Sequence, residues 1–239
     1  MICFLTSSDM IPDTETLNPA NGFTDALYRC WPEDCRALFV CSDQEGHDMT
    51  DFFADSQRRG FEEAGLPFSS FTVLDSRNAD GTAELVRDSD VIILAGGHVP
   101  TQNRFFLEIG LKEAMEDFDG IVIGISAGTM NSAEEVYAHP ELDGEAVDSD
   151  YERFLPGLGL TRTMILPHYQ MVKDDVLDGL RIYEDIAFPD SFGRRFYSLP
   201  DGSYLYIENG REELRGEVRL VEDGEMTLIA EDGDITALD

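Results

Sequence analysis

Short apolar runs rich in β-branched residues recur through residue 187, at 2–5, 37–41, 71–74, 91–95, 121–125 and 163–166. They are strand-length and hardly interrupted by polar residues, the pattern of strands buried on both faces. Between them the apolar positions widen to helical spacing. Phe53, Gly60, Phe61 and Ala64 keep one such face and stop at Gly65, a residue suited to the left-handed position past a helix end. Pro100 predicts the opening of a second helix carrying Leu107, Leu111 and Ala114. A third is predicted from about Asp174, with Val176, Leu177, Leu180 and Tyr183 on one side. Strands that alternate with helices imply an α/β fold, a mostly parallel sheet with helices on both faces.

After Pro189 the texture changes to short alternating runs separated by Pro200-Asp201-Gly202, Glu208-Asn209-Gly210, Glu222-Asp223-Gly224 and Glu231-Asp232-Gly233. Asn-Gly and Asp-Gly tolerate the positive φ angles of tight hairpins. Residues 188–239 are therefore expected to form antiparallel hairpins that extend the edge of the sheet, within a single domain spanning 1–239. A tail this poor in large core residues would be marginal on its own.

Composition narrows the function. The 239 residues are 42% hydrophobic and 10% aromatic, enough to build a core. Against 17 basic residues stand 49 acidic ones, a formal charge of −32, and such a field repels phosphate backbones and anionic membrane surfaces. Nucleic acid and membrane partners are not expected. The N-terminal segment lacks the basic and extended apolar regions of a signal peptide, and no apolar run approaches the roughly 20 residues that span a bilayer. Cys3, Cys30, Cys35 and Cys41 form no CxxC pair and are not accompanied by patterned histidines, so neither a zinc site nor a disulfide framework is indicated. A reduced, cytoplasmic setting is the expectation.

Chemistry concentrates where strands end. The run Gly120-Ile-Val-Ile-Gly124-Ile-Ser126-Ala127-Gly128 is a buried strand followed by G-x-S-x-G and a helical stretch, the context of a nucleophile elbow. The glycines leave room for a sharp turn that holds Ser126 in a strained conformation and lifts its hydroxyl from the sheet. A serine needs a base within hydrogen-bond reach. His47 lies in a polar loop, His139 in a Pro-flanked loop and His98 just past Gly96-Gly97, whereas His168 directly follows the run Met164-Ile165-Leu166-Pro167. That puts it at the carboxyl end of a predicted parallel strand, the edge where reactive groups collect in open α/β sheets. Val91–Ala95 also ends in glycines before a helix, so the backbone N–H of Gly97 can pair with that of Ala127 as an oxyanion hole. In α/β-hydrolases the histidine comes last, near the chain end. Here no histidine follows His168, and a long tail does, which disfavours a lipase-type enzyme.

Leu94-Ala-Gly-Gly-His98, Gly124-Ile-Ser-Ala-Gly128 and Leu166-Pro-His168-Tyr169 together resemble the glycine-rich loop, elbow and P-H-[FY] box of the dipeptidase E and cyanophycinase family of serine peptidases. The resemblance covers roughly residues 1–187. It implies a class I glutamine amidotransferase-like, flavodoxin-like fold and a serine hydrolase that cleaves a peptide or related amide bond through an acyl-enzyme. In that reading Ser126 is the nucleophile, His168 the base and acid, Gly97 and Ala127 the oxyanion donors, and no metal or other cofactor is required. Among the acids at 134–143, matching the family's spacing selects Glu141 as third triad member, ahead of Glu135, with Glu134 and Asp143 close by. The family's Gly-Gly-Gly-Asn loop here reads Ala95-Gly96-Gly97-His98. Dipeptidase E favours an N-terminal aspartate, which would need a cation, and Lys173 and Arg104 are the nearest in sequence. The alternative is a catalytically inactive protein that binds a small metabolite on the same fold.

Overall fold

The computed structural model describes residues 1–238. Chain order begins with β1 (Ile2–Thr6), α1 (Phe23–Cys30), β2 (Arg36–Val40), α2 (His47–Glu63), β3 (Ser70–Leu74), α3 (Thr82–Arg87) and β4 (Val91–Leu94). It continues through α4 (Val99–Glu108), α5 (Leu111–Ala114), β5 (Ile121–Ile125) and α6 (Ala127–Asn131). These five strands run parallel in the order β1-β5-β4-β2-β3. They are buried because successive side chains feed two different cores. Cys3, Leu5, Leu38, Val40, Ile92 and Leu94 pack on one face, and Phe4, Ala37, Phe39, Val91, Ile93 and Ile123 on the other. Pro100 sits in the first turn of α4, where its missing N–H costs nothing. Among the described residues no helix is long and apolar enough to cross a membrane.

The remainder consists of β6 (Glu135–Tyr137), β7 (Phe154–Pro156), β8 (Met164–Leu166), α7 (Tyr169–Val172), β9 (Val176–Leu177), β10 (Leu180–Arg181) and α8 (Phe188–Asp190). Six strands close the chain: β11 (Arg195–Ser198), β12 (Tyr204–Glu208), β13 (Arg211–Arg215), β14 (Val218–Glu222), β15 (Glu225–Ala230) and β16 (Ile235–Leu238). The predicted antiparallel tail is present, but it divides. β12, β13 and β16 extend the large sheet beyond β1, giving the order β16-β13-β12-β1-β5-β4-β2-β3. β11, β14 and β15 join β8 in a separate sheet ordered β15-β14-β11-β8. Thus β8 is not a strand of the main sheet, as its position in the alternating series implied. It pairs in parallel with β11 instead, with Leu166 opposite Ser198.

The third predicted helix is also corrected. Asp178 and Gly179 both adopt positive φ, 53° and 83°, and turn the segment into the β9–β10 hairpin, with Leu177 opposite Leu180. A helix cannot pass through two consecutive left-handed residues.

Candidate active site

Strand register aligns the site. Thr6 of β1 lies opposite Ile125 of β5, and Leu94 of β4 opposite Gly124, so Ser7, Ser126 and Gly96-Gly97 leave the sheet side by side at its carboxyl edge. Ser126 takes φ 51° and ψ −109°, outside the regions open to ordinary L-residues, and its N–H donates to Thr6 O at 3.1 Å. The turn is tight enough to require its glycines. A Cβ on Gly128 would lie 2.3 Å from Leu94 O, and one on Gly124 would meet Thr129 and Leu5 at 2.9–3.0 Å. The Ala127 N–H stands first in α6, beyond the reach of any intrahelical acceptor. Gly97, with φ 150°, has Ser42 packed where a Cβ would project, 2.3 Å from its Oγ. Its loop lies next to the elbow: a Cβ on Gly96 would stand 3.5 Å from Ser126 Cβ.

His168 arrives from the small sheet. It too has a positive φ, 58°, and its backbone N–H donates to Ser7 Oγ at 2.7 Å. Its ring bridges two partners, with Nε2 2.9 Å from Ser126 Oγ and Nδ1 2.7 Å from Asp201 Oδ1. Asp201 reaches this point because of topology. Leu166 pairs with Ser198, and Leu199 N–H donates to Leu166 O, so the residues following β8 and β11 run alongside each other. Past Asp201 the chain enters β12, where Tyr204 pairs with Thr6 and Ser7 N–H donates to Ser203 O. The passage from one sheet to the other therefore lays Asp201 between His168 and Ser7.

Ser7 Oγ donates to Asp201 Oδ1 at 2.8 Å, and Gln170 Oε1 accepts from the Asp201 N–H. Burial pushes the Asp201 carboxyl up, but the hydrogen bond and charge of His168, with help from Ser7 and Gln170, outweigh it and hold the group below the usual range. An ionised carboxylate only accepts, so it fixes the imidazole proton on Nδ1 and leaves Nε2 to accept from Ser126. An imidazole so placed can take the hydroxyl proton while the carboxylate stabilises the resulting cation.

Glu141 does not occupy the place expected of it. It lines a cavity of about 520 Å³ beside Ser126 and His168, yet it makes no hydrogen bond to His168. Burial and the neighbouring Glu145 push its carboxyl up to about 7, against the pull of the Val99 N–H. Glu134 and Glu135 instead pair with Arg162 and Arg194, and Asp143 is exposed. The correction has a physical cause: His139, Pro140 and Glu141 line the cavity, whereas the β8–β11 pairing delivers Asp201 to Nδ1. Ser7, Gln170 and Asp201 belong to none of the sequence motifs that mark the site. Asp201 was visible only as the middle of a Pro-Asp-Gly turn.

None of the other histidines bonds to Ser126, His168 or Asp201, although His139 lines the same cavity as Ser126 and His168. His47 meets Ser76 Oγ at 2.9 Å at the start of α2. His98 bridges Thr101 and Glu145, whose second oxygen accepts from the N–H groups of Glu141 and Leu142, tying the two loops together. His139 is buried, contrary to the exposure its Pro-flanked loop implied, and burial holds its imidazole below the ordinary value. A second cavity, of about 400 Å³, opens on the α2 side of Ser126 and also touches Gly97 and His168. Neither Lys173 nor Arg104 lines either cavity.

No curated protein matches the chain. Solved structures do: the crystal structure of a peptidase from an acI-B1 Actinobacterium superposes with a TM-score of 0.70 at 16% identity, covering 99% of this chain and 96% of that one. A putative peptidase E protein from Listeria monocytogenes EGD-e superposes with a TM-score of 0.57, also at 16% identity, covering 96% and 98%. At that identity the likeness establishes the fold. The sequence itself matches the family model over residues 3–215, and the chain thus belongs to peptidase family S51.

Proposed function

We propose that this S51-family peptidase is a serine hydrolase that cleaves a peptide or related amide bond through an acyl-enzyme. The observation that carries the reading is the unbroken chain Ser126 Oγ–His168–Asp201, at 2.9 and 2.7 Å. Ser126 attacks the carbonyl while His168 Nε2 takes its proton, and Asp201 holds the imidazole and stabilises its charged form. The N–H groups of Gly97 and Ala127 receive the oxyanion, each contributing on the order of 3 kcal/mol by the usual removal experiments. His168 then protonates the departing amine, and a water activated by the same nitrogen releases the acyl group. Four free cysteines, three of them buried, suit a reducing cytoplasmic compartment.

A fluorophosphonate probe tests the reading. It should label the folded wild type and leave Ser126→Ala unmodified, as read by intact-protein mass. A folded wild type that stays unlabelled overturns the hydrolase and favours a metabolite-binding role on the same fold.

A further inference from the structure

The cavity on the α2 side of Ser126 is walled by Phe39, Cys41, Phe53, Ala95 and Ile125. Among the described residues no acidic side chain, lysine or arginine lines it. Of the polar residues that reach it, Ser42 packs its hydroxyl against Gly97, while Thr50 and Gln57 turn toward other partners. Thr50 Oγ1 donates to Asp43 O at 3.4 Å. Gln57 points Nε2 at Asp9 Oδ1, 3.3 Å away, and its Oε1 is sealed from solvent without a partner, as is Asp9 Oδ2. Gln57 therefore shows the cavity its aliphatic stem. Burial pushes the Cys41 thiol up to about 12, so it stays neutral. At the mouth Phe53 is 53% exposed, and Met49 and Phe52 beside it on α2 are 58% and 59% exposed, which carries the apolar surface outward.

We propose that this cavity is the subsite for an apolar side chain on the residue whose carbonyl Ser126 attacks, with Phe53 as its specificity-determining wall. The inference rests on the serine hydrolase reading above. Its orientation follows from the linings: Gly96 of the glycine loop lines only the cavity on the α2 side, whereas the other cavity is lined by Pro167, Val172, Val176 and Leu177 from the segment that carries His168, so the amine that receives the imidazole proton leaves there. The acyl residue then lies on the α2 side, against Gly96 and Gly97. An aspartate or lysine side chain would shed its water in this cavity with no opposite charge to meet it, while a leucine or phenylalanine gains by leaving water.

Diphenyl α-aminoalkylphosphonates, which phosphonylate reactive serines, test this directly with Phe, Leu, Asp and Lys side chains. The second-order inactivation rate should be at least about tenfold higher for Phe and Leu than for Asp and Lys. In Phe53→Ala that ratio should shrink severalfold, and in Leu107→Ala, an exposed apolar residue of α4 that lines neither cavity, it should persist. Asp or Lys probes that match or exceed the apolar pair, a ratio indifferent to Phe53→Ala, or failure of all four on protein that the fluorophosphonate labels would each overturn the subsite and leave the hydrolase standing. If no probe of either kind modifies Ser126, the hydrolase reading fails, and the subsite with it.

Discussion

Asp201 and Glu141 are both carboxylates near one imidazole, but only the first touches it. The roles separate by substitution. Asp201→Asn keeps the shape and removes the charge that fixes the His168 tautomer, so kcat should fall by about 10⁴-fold. Glu141→Gln should cost kcat no more than about tenfold, an effect that belongs to the cavity wall. Comparing kcat of the two variants on one peptide substrate checks the assignment, and equal losses would refute it. A third acid, Asp9, is 2% exposed, and burial lifts its carboxyl from 3.8 to about 6. Between those values the folded protein keeps a proton that the unfolded chain has lost. This group's contribution to stability is therefore full below about pH 4, declines as pH rises, and is gone above about pH 6, a difference on the order of 3 kcal/mol. Asp9→Asn supplies an N–H donor without ionising. Urea unfolding should show it gaining on wild type from pH 4 to pH 8, and a constant difference would contradict the buried, proton-binding carboxyl.

At the scale of elements, the strand–elbow–helix unit is the part most legible in the sequence, because its requirements are local. Gly128→Ala should destabilise the fold by about 3 kcal/mol, since its Cβ would press on the carbonyl of Leu94 in a neighbouring strand that cannot give way cheaply. Thermal or urea unfolding measures this, and a neutral result would mean that α6 sits farther from β4. Legibility fails where one pattern serves two structures. Val176, Leu177, Leu180 and Tyr183 fit a helical face, yet they also fit a hairpin turned at Asp178-Gly179. Likewise the apolar run before His168 announces a strand but carries no information about which sheet will accept it.

Across the whole molecule, Ser126 and His168 were readable because each follows a buried strand, and each lies where expected relative to the other. Asp201 was not, because its position depends on a partner strand, β11, and on the chain's crossing between two sheets. Pro200-Asp201-Gly202 looks locally like the other turns of an acidic tail. The same feature applies to the net charge: with 49 acids and 17 bases, the composition of any one acidic turn says nothing about its role.

The crossing from β11 to β12 has a consequence during synthesis. A nascent polypeptide that has exposed only its first 190 residues carries the serine and the histidine but neither the strand that docks against β8 nor the aspartate beyond it. The hydrogen bonds that join Ser126, His168 and Asp201 close only once β11 and the turn beyond it have emerged and docked, so no shorter nascent chain holds the three side chains together.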